Sequence, residues 1–124
     1  MGPRGSKMAH PVVHFEVSAK DAGAQREFYT SVFEWEVTVH EEAQYSMFDT
    51  GGGDDGIDGG LYQSEQGQSY VTFYIQVDDV AAHLAKAAAA GATPVTQPME
   101  VPGGGTIAMF TDPEGNVVGL YKPA

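Results

Sequence analysis

A five-residue pattern occurs twice in this sequence, and the repeat restricts the possible folds more than any other feature does. Residues 13–17 (VHFEV) and 71–75 (VTFYI) lie 58 positions apart, and the same offset places Asp79 over Asp21. In both runs apolar residues recur at every second position, which is typical of a strand with one buried face. An aspartate after a strand is suited to begin a helix, because its side chain accepts a hydrogen bond from the first turn. The sequence therefore predicts two copies of one strand–helix unit.

Each copy continues in the same way, through a helix and three further short strands. Apolar residues spaced at i, i+4 and i+8 predict helices near residues 22–32 and 80–90. Three strand-like segments follow each helix: residues 36–40, 45–49 and 57–62, then 93–96, 106–111 and 117–122. We therefore predict an α+β fold in which two βαβββ modules, about residues 11–63 and 69–122, form an incomplete barrel.

Length and composition predict one domain. A chain of 124 residues suits this, since domains commonly have about 100–150 residues. Residues 1–7 (MGPRGSK) resemble the remnant of a cleavable tag, so we assign the domain to residues 8–124. The sequence has no cysteine, which excludes disulfides and thiolate ligands. No apolar run is long enough for a membrane span, and no signal-peptide pattern occurs. We expect a cytoplasmic protein that does not bind membranes.

The chain is strongly acidic, with 17 acidic residues against 6 basic ones and a formal net charge of −11. After residue 7 the only basic side chains are Lys20, Arg26, Lys86 and Lys122. Nucleic-acid binding requires a basic surface that displaces counterions from phosphates, so we expect no nucleic-acid partner. Polyphosphate ligands such as coenzyme A are disfavoured for the same reason, whereas a neutral or cationic ligand fits the charge. Solubility alone would also account for this acidity.

Several segments across the chain resemble one family. The first half contains VVHFEV at 12–17 and VFEW at 32–35, and the second contains YIQVDDV at 74–80 and FTDPEGNVVGLY at 110–121. These segments resemble the vicinal-oxygen-chelate superfamily, which includes glyoxalases, bleomycin-resistance proteins and extradiol dioxygenases. The DPEGN turn before an apolar strand is the most specific of them, and its proline and glycine also suit a tight turn.

The resemblance implies where a divalent ion would bind, because metal-dependent members take ligands from the first and last strand of each module. Here those positions hold His14, Gly60, Thr72 and Gly119. A glycine offers no side chain, and a threonine hydroxyl is a poor ligand for transition metals. We therefore expect no metal and no other cofactor. The two glycines also predict extra room, where a planar ligand could lie against the strand.

Period-two geometry predicts which side chains share the concave face of the barrel, which we call the cup. The first strand contributes His14 and Glu16, which are candidate catalytic residues because a carboxylate beside an imidazole can act as an acid–base pair. The other strands contribute candidate ligand-binding residues: Tyr62, Thr72, Tyr74, Gln76 and Tyr121. An aromatic wall with few polar groups is typical of a small-molecule site. Catalysis, ligand binding and a structural hydrogen-bonded pair all remain open for His14 and Glu16.

Two functions are compatible with these features. In the first, the protein binds a small aromatic or cationic metabolite in the cup without a metal, as the bleomycin-resistance branch would suggest. In the second, it is a metal-free isomerase or lyase in which His14 and Glu16 transfer a proton. The resemblance further implies a homodimer, because short chains of this family usually pair.

Overall fold

The structure is a computed structural model that describes residues 9–124. The predicted tag remnant, residues 1–7, lies outside the described residues. The chain divides into two units. The N-terminal unit is Val13–Phe73, and the C-terminal unit is Tyr74–Ala124 together with the described residues up to Val12. Among the described residues, no helix is long and apolar enough to cross a bilayer.

The first βαβββ pattern forms a four-stranded sheet with one helix. Its elements in chain order are β1 (Val12–Ala19), α1 (Ala22–Phe33), β2 (Glu36–His40), β3 (Tyr45–Asp49) and β4 (Gly59–Gln63). The strand order is β2-β3-β4-β1. β1 and β4 are parallel, and the other neighbours are antiparallel. Because β4 lies between β3 and β1, a side chain on β3 can reach β1 only across β4.

The second pattern repeats this arrangement. Its elements are β5 (Tyr70–Gln76), α2 (Val80–Ala89), β6 (Thr93–Pro94), β7 (Met99–Glu100), β8 (Thr106–Thr111) and β9 (Val117–Lys122). The order is β5-β9-β8-β6, with β7 also paired to β8. β5 and β9 are parallel, as β1 and β4 are. The predicted α+β class and the two βαβββ modules are therefore confirmed.

Two predicted strands differ from the observed ones. The segment predicted at 57–62 is a strand only from Gly59, and it extends to Gln63; just before it, the Asp58 carboxylate accepts a hydrogen bond from the amide of Thr50 at 2.9 Å. The segment at 93–96 forms two strand residues and then bulges. The amides of Val95 and Thr96 both donate to the carbonyl of Met109. Two residues facing one is the definition of a bulge, and a further short strand, β7, follows it.

Both helices begin at the predicted aspartates. Asp21 Oδ1 accepts a hydrogen bond from the Ala24 amide at 3.0 Å, and Asp79 Oδ1 accepts one from the Ala82 amide at 2.9 Å. Each carboxylate satisfies an amide that has no partner within its helix. The predicted N-caps are confirmed in both copies.

We expect Asp79→Ala to lower the free energy of unfolding by about 1 kcal/mol, because the first turn of α2 loses its cap. Urea denaturation measures this. Asp78→Ala is the matched control, since Asp78 precedes the cap and should cost much less. Equal losses in the two variants would contradict the role of Asp79.

The helices cover one face of each sheet. In the N-terminal unit the buried core consists of Val17, Ala19, Phe48 and Leu61, with Phe15, Tyr29 and Trp35 packed against it. In the C-terminal unit it consists of Val77, Val80, Leu84, Ala108, Phe110, Val118 and Leu120. Phe15 and Val17 thus lie on the helix side of β1, as predicted, and the alternate residues of β1 lie on its opposite face.

Candidate functional site

The face of β1 opposite α1 carries His14, Glu16 and Ser18 in succession. Side chains two positions apart on a strand point the same way, so these three polar groups are neighbours. His14 and Glu16 are half-buried, and Ser18 is fully buried. Polar groups in such a setting require hydrogen-bond partners.

One tyrosine hydroxyl joins the two candidate catalytic residues. The Tyr45 hydroxyl donates to Glu16 Oε2 at 3.2 Å and lies 3.0 Å from Nε2 of His14. A phenol has one hydrogen, so when it is donated to Glu16 the oxygen is left to accept. His14 Nε2 must then carry a hydrogen and donate it to Tyr45. The result is a chain of directed hydrogen bonds from His14 through Tyr45 to Glu16.

Gly60 allows these hydrogen bonds to form, because it has no side chain. Tyr45 lies opposite Tyr62 in the β3–β4 ladder, and Gly60 lies opposite Glu16 in the β4–β1 ladder. The Tyr45 ring lies across Gly60 to reach β1, and a Cβ atom at position 60 would overlap the ring and its hydroxyl. Only glycine leaves the space that the ring occupies.

The C-terminal unit contains an equivalent arrangement. Tyr74 on β5 lies opposite Gly119 on β9, and a Cβ atom at position 119 would overlap the Tyr74 ring. The two glycines that the sequence predicted to open room for a ligand are thus each covered by a tyrosine of the same unit. The prediction of free space beside these glycines is wrong, because the chain's own rings fill it.

Burial sets the protonation states of His14 and Tyr45 in this chain of hydrogen bonds. It lowers the pKa of His14, and the negative charge of Asp58 opposes this shift to a smaller extent. Burial raises the pKa of Tyr45, and the charge of Glu16 and its hydrogen bond to the phenol raise it further. At neutral pH, His14 is therefore a neutral imidazole and Tyr45 a protonated phenol.

We expect the free energy of unfolding to fall as the pH drops below about 6.5, the ordinary pKa of histidine. Below that value the unfolded chain binds a proton at His14, whereas the folded chain, with its lower pKa, does not. Stability therefore rises with pH between the folded and unfolded pKa values. Urea denaturation at two pH values on either side of 6.5 measures the slope.

The contribution of His14 is isolated by comparison with variants. The free energy of unfolding should depend less steeply on pH in His14→Gln than in the unchanged protein. His40→Gln, at an exposed position on β2, is the control and should keep a steeper dependence than His14→Gln. An unchanged slope in His14→Gln would contradict the assignment.

Two further tyrosines of the N-terminal unit are joined by a hydrogen bond between their hydroxyls. The hydroxyl oxygens of Tyr62 on β4 and Tyr70 on β5 lie 2.7 Å apart. Burial, together with the hydrogen bond to Tyr62, raises the pKa of the Tyr70 phenol. Tyr70 was not among the predicted site residues, although Tyr62 was.

The predicted site residues are divided between the units. His14, Glu16, Tyr62 and Thr72 belong to the N-terminal unit, and Thr72 is buried there, with its hydroxyl donating to the carbonyl of Phe73 at 3.4 Å. The C-terminal unit holds the remaining three: Tyr74, Gln76 and Tyr121. Gln76 and Tyr121 lie opposite each other in the β5–β9 ladder, and Tyr74 covers Gly119.

The chain belongs to the Glyoxalase/Bleomycin resistance protein/Dioxygenase superfamily, whose sequence profile matches residues 12–120. This is the family that the repeated segments resemble. The match runs from the start of β1 to Leu120 within β9, and it contains every candidate site residue except Tyr121.

Similar proteins include one sequence relative and two solved structures. A Mycobacterium bovis protein named "Putative glyoxylase CFP32" is 43% identical over 51 residues, which are 41% of this chain and 20% of that protein. The chain thus spans about a fifth of this relative's length. A methylmalonyl-CoA epimerase in complex with methylmalonyl-CoA and NH4+ has a TM-score of 0.65 at 20% identity, covering 93% of this chain and 95% of its own.

A Mn(II)-bound glyoxalase from Novosphingobium aromaticivorans has a TM-score of 0.66 at 24% identity, covering 92% of this chain and 40% of its own. These structural likenesses show a shared fold.

Three of the four positions that the family resemblance assigns to metal ligands carry side chains that are poor ligands for a transition metal. Gly60 and Gly119 have no donor atom, and tyrosine rings cover them. The Thr72 hydroxyl is buried and donates to a backbone carbonyl. Among the described residues, no group of three or more histidine, cysteine, aspartate or glutamate side chains is arranged to hold a metal. His14 alone provides a conventional ligand.

Proposed function

We propose that the protein binds a small organic molecule without a metal ion, at a site built around His14 and Glu16. One observation carries this proposal: the Tyr45 ring lies over Gly60, and its hydroxyl bonds to both His14 and Glu16. The imidazole of His14 and the carboxylate of Glu16 thus both bond to the phenol of Tyr45, which belongs to the same unit. A phenol of raised pKa is a neutral hydrogen-bonding group and not an anionic metal ligand.

The ligand we propose is aromatic or cationic. Three tyrosines of the N-terminal unit (Tyr45, Tyr62 and Tyr70) supply aromatic surface next to polar groups, a composition that suits flat or positively charged molecules. The net charge of −11 favours a neutral or cationic ligand over an anion. In the C-terminal unit we propose the same role for Tyr74, Gln76 and Tyr121, and in the N-terminal unit also for Thr72.

A thermal-shift screen of neutral, cationic and anionic aromatic compounds tests the proposal. A ligand at about 100 times its Kd stabilises a folded protein by about 2.7 kcal/mol, which raises Tm by several degrees. We expect the hits to lose affinity in Glu16→Gln and to retain it in Glu114→Gln, a control at an exposed turn of the other unit. Hits that bind both variants equally, or that require an added divalent ion, would contradict the proposal.

A second candidate function is a metal-free isomerase or lyase. It is favoured by the hydrogen-bond chain from His14 through Tyr45 to Glu16, since a neutral imidazole linked to a carboxylate can move a proton. His14→Ala and Glu16→Ala separate the two functions. Retained binding with abolished turnover supports the enzyme, and no turnover with any bound ligand supports the binding protein.

We also propose that the protein is a cytoplasmic homodimer. The absence of cysteine is compatible with a reducing compartment. Helix α1 exposes three large apolar side chains, Phe28, Val32 and Phe33, which a partner surface would cover. Sedimentation at micromolar concentration should give twice the mass of one chain. A well-folded monomer would contradict the dimer, and exclusively extracellular protein in cell fractionation would contradict the location.

A further inference from the structure

The N-terminal unit has a concave region where β4 ends and β5 begins. Its volume is about 590 Å³, within the range of small-molecule sites. We call it the Tyr62–Tyr70 groove, and ten residues line it: Glu42, Ala43, Gln44, Tyr62, Gln63, Ser64, Glu65, Gln66, Gln68 and Tyr70. None of them is on β1, so the groove has a lining distinct from the His14–Tyr45–Glu16 chain.

Hydrogen bonds fix three of the lining side chains, Tyr62, Gln63 and Tyr70. Tyr62 and Tyr70 are joined through their hydroxyls at 2.7 Å. The Gln63 amide is held at both ends: Oε1 accepts from the Ala22 amide at 3.0 Å, and Nε2 donates to the Lys20 carbonyl at 2.6 Å. These side chains are held in place before any ligand arrives, which reduces the entropy lost on binding.

Two further lining residues, Ser64 and Gln68, are fixed in the same way. Ser64 Oγ accepts from the backbone amide of Gln68 at 2.9 Å, and the buried Ser18 Oγ donates to the carbonyl of Gln68 at 3.0 Å. Gly67, at φ +68°, makes the turn between them. Gln44, also in the lining, has a left-handed backbone at φ 51° and ends the short turn that carries Glu42.

The lining selects for one kind of charge. Among the described residues that line the groove, two are acidic (Glu42 and Glu65) and none is basic. The other groups are mainly amides and hydroxyls, which offer little apolar surface to an apolar ligand, and the two carboxylates would repel an anion. We propose that the Tyr62–Tyr70 groove binds a small organic cation that carries hydrogen-bonding groups, such as a protonated amine with hydroxyl substituents. The groove shares Tyr62 and Tyr70 with the proposed function, but this inference requires no ligand at His14 or Glu16.

Three sugars of the same ring size and different charge test the proposal: glucosamine near neutral pH, glucose and glucuronate. Amide chemical shifts of the full-length protein are followed during titration at low salt. We expect saturable shifts at Gln44, Ser64 and Gln68 in the millimolar range with glucosamine alone. Glu42→Gln and Glu65→Gln should each weaken binding about threefold, as expected for exposed charge pairs, and the double variant about tenfold. Glu114→Gln is the matched control.

Four results would overturn the proposal. The first is the absence of saturable shifts in the groove with glucosamine and also with ethanolamine and spermidine. The second is equal binding of glucose or glucuronate. The third is unchanged affinity in the Glu42→Gln/Glu65→Gln double variant. Shifts confined to His14 and Glu16 would indicate the site of the proposed function and would likewise contradict a ligand in the groove.

Discussion

Gly60→Ala is expected to lower the free energy of unfolding by about 2 kcal/mol, although alanine normally suits a strand better than glycine does. The added methyl group would overlap the Tyr45 ring, so the ring must move off β4. Its hydrogen bonds to His14 and Glu16 are then lost, and two half-buried polar groups lose a partner. Urea denaturation at neutral pH measures the change.

A double-mutant cycle separates this mechanism from a general effect on the strand. In a Tyr45→Ala background the ring is absent, so adding Gly60→Ala should cost almost nothing, which gives a coupling energy of about 2 kcal/mol. Gly23→Ala on α1 is the control, since its Cβ would meet nothing closer than 3.6 Å. It should be neutral or slightly stabilising. An equal cost of Gly60→Ala with and without the Tyr45 ring would contradict the packing described here.

Phe48→Ala has the largest expected effect, a loss of about 3–5 kcal/mol in the free energy of unfolding. Phe48 is 1% exposed on β3, and its ring lies 5.2 Å from that of Trp35 and 6.1 Å from that of Tyr29, centroid to centroid. Truncation leaves a cavity that these large rings cannot easily fill. A loss of this size is a large part of the total stability of a small domain.

Phe28→Ala provides a control of the same chemistry. Phe28 is 51% exposed on α1, so its truncation removes little buried area, and we expect a change of about 0.5 kcal/mol or less in the monomer. Comparable losses for Phe28→Ala and Phe48→Ala, measured at a concentration at which sedimentation gives the mass of one chain, would mean that the core of the N-terminal unit lies elsewhere.

The sequence was sufficient to predict most of the secondary structure, because two signals coincide in each copy. Period-two alternation located β1 and β5, and an aspartate after each strand located the start of each helix. The face of β1 was also predicted correctly, since Phe15 and Val17 pack in the core, whereas His14 and Glu16 bond to the Tyr45 hydroxyl across Gly60. Strand positions and helix starts can be predicted from such local patterns, and the same pattern in the second copy supports the prediction for the first.

The partners of the site residues were harder to predict. Tyr45 was correctly assigned to a strand, but its contact with His14 depends on the registers of two ladders, β3–β4 and β4–β1. The long loop between β3 and β4 gives no register signal of the kind that a two-residue turn gives. The glycines were therefore interpreted as free space, when each one accommodates a tyrosine ring from a neighbouring strand.

The irregular strand pairing near β8 has a similar cause. The segment at 93–96 has the composition of a strand, yet Met109 faces two residues, Val95 and Thr96. The Thr96 hydroxyl accepts the hydrogen bond of the Met109 amide, in place of a backbone carbonyl. A side chain that substitutes for the backbone in this way leaves no mark on apolar periodicity, so the sequence could not predict it.

The Tyr45 ring lies over Gly60 and connects His14 with Glu16, and the family resemblance assigns metal ligands to positions 14 and 60. Elemental analysis tests most directly whether these positions bind an ion, on protein produced in medium supplemented with manganese, nickel and zinc and purified without chelator. We predict no stoichiometric transition metal. A bound ion in stoichiometric amount that is lost in His14→Ala and kept in His40→Ala would contradict the account.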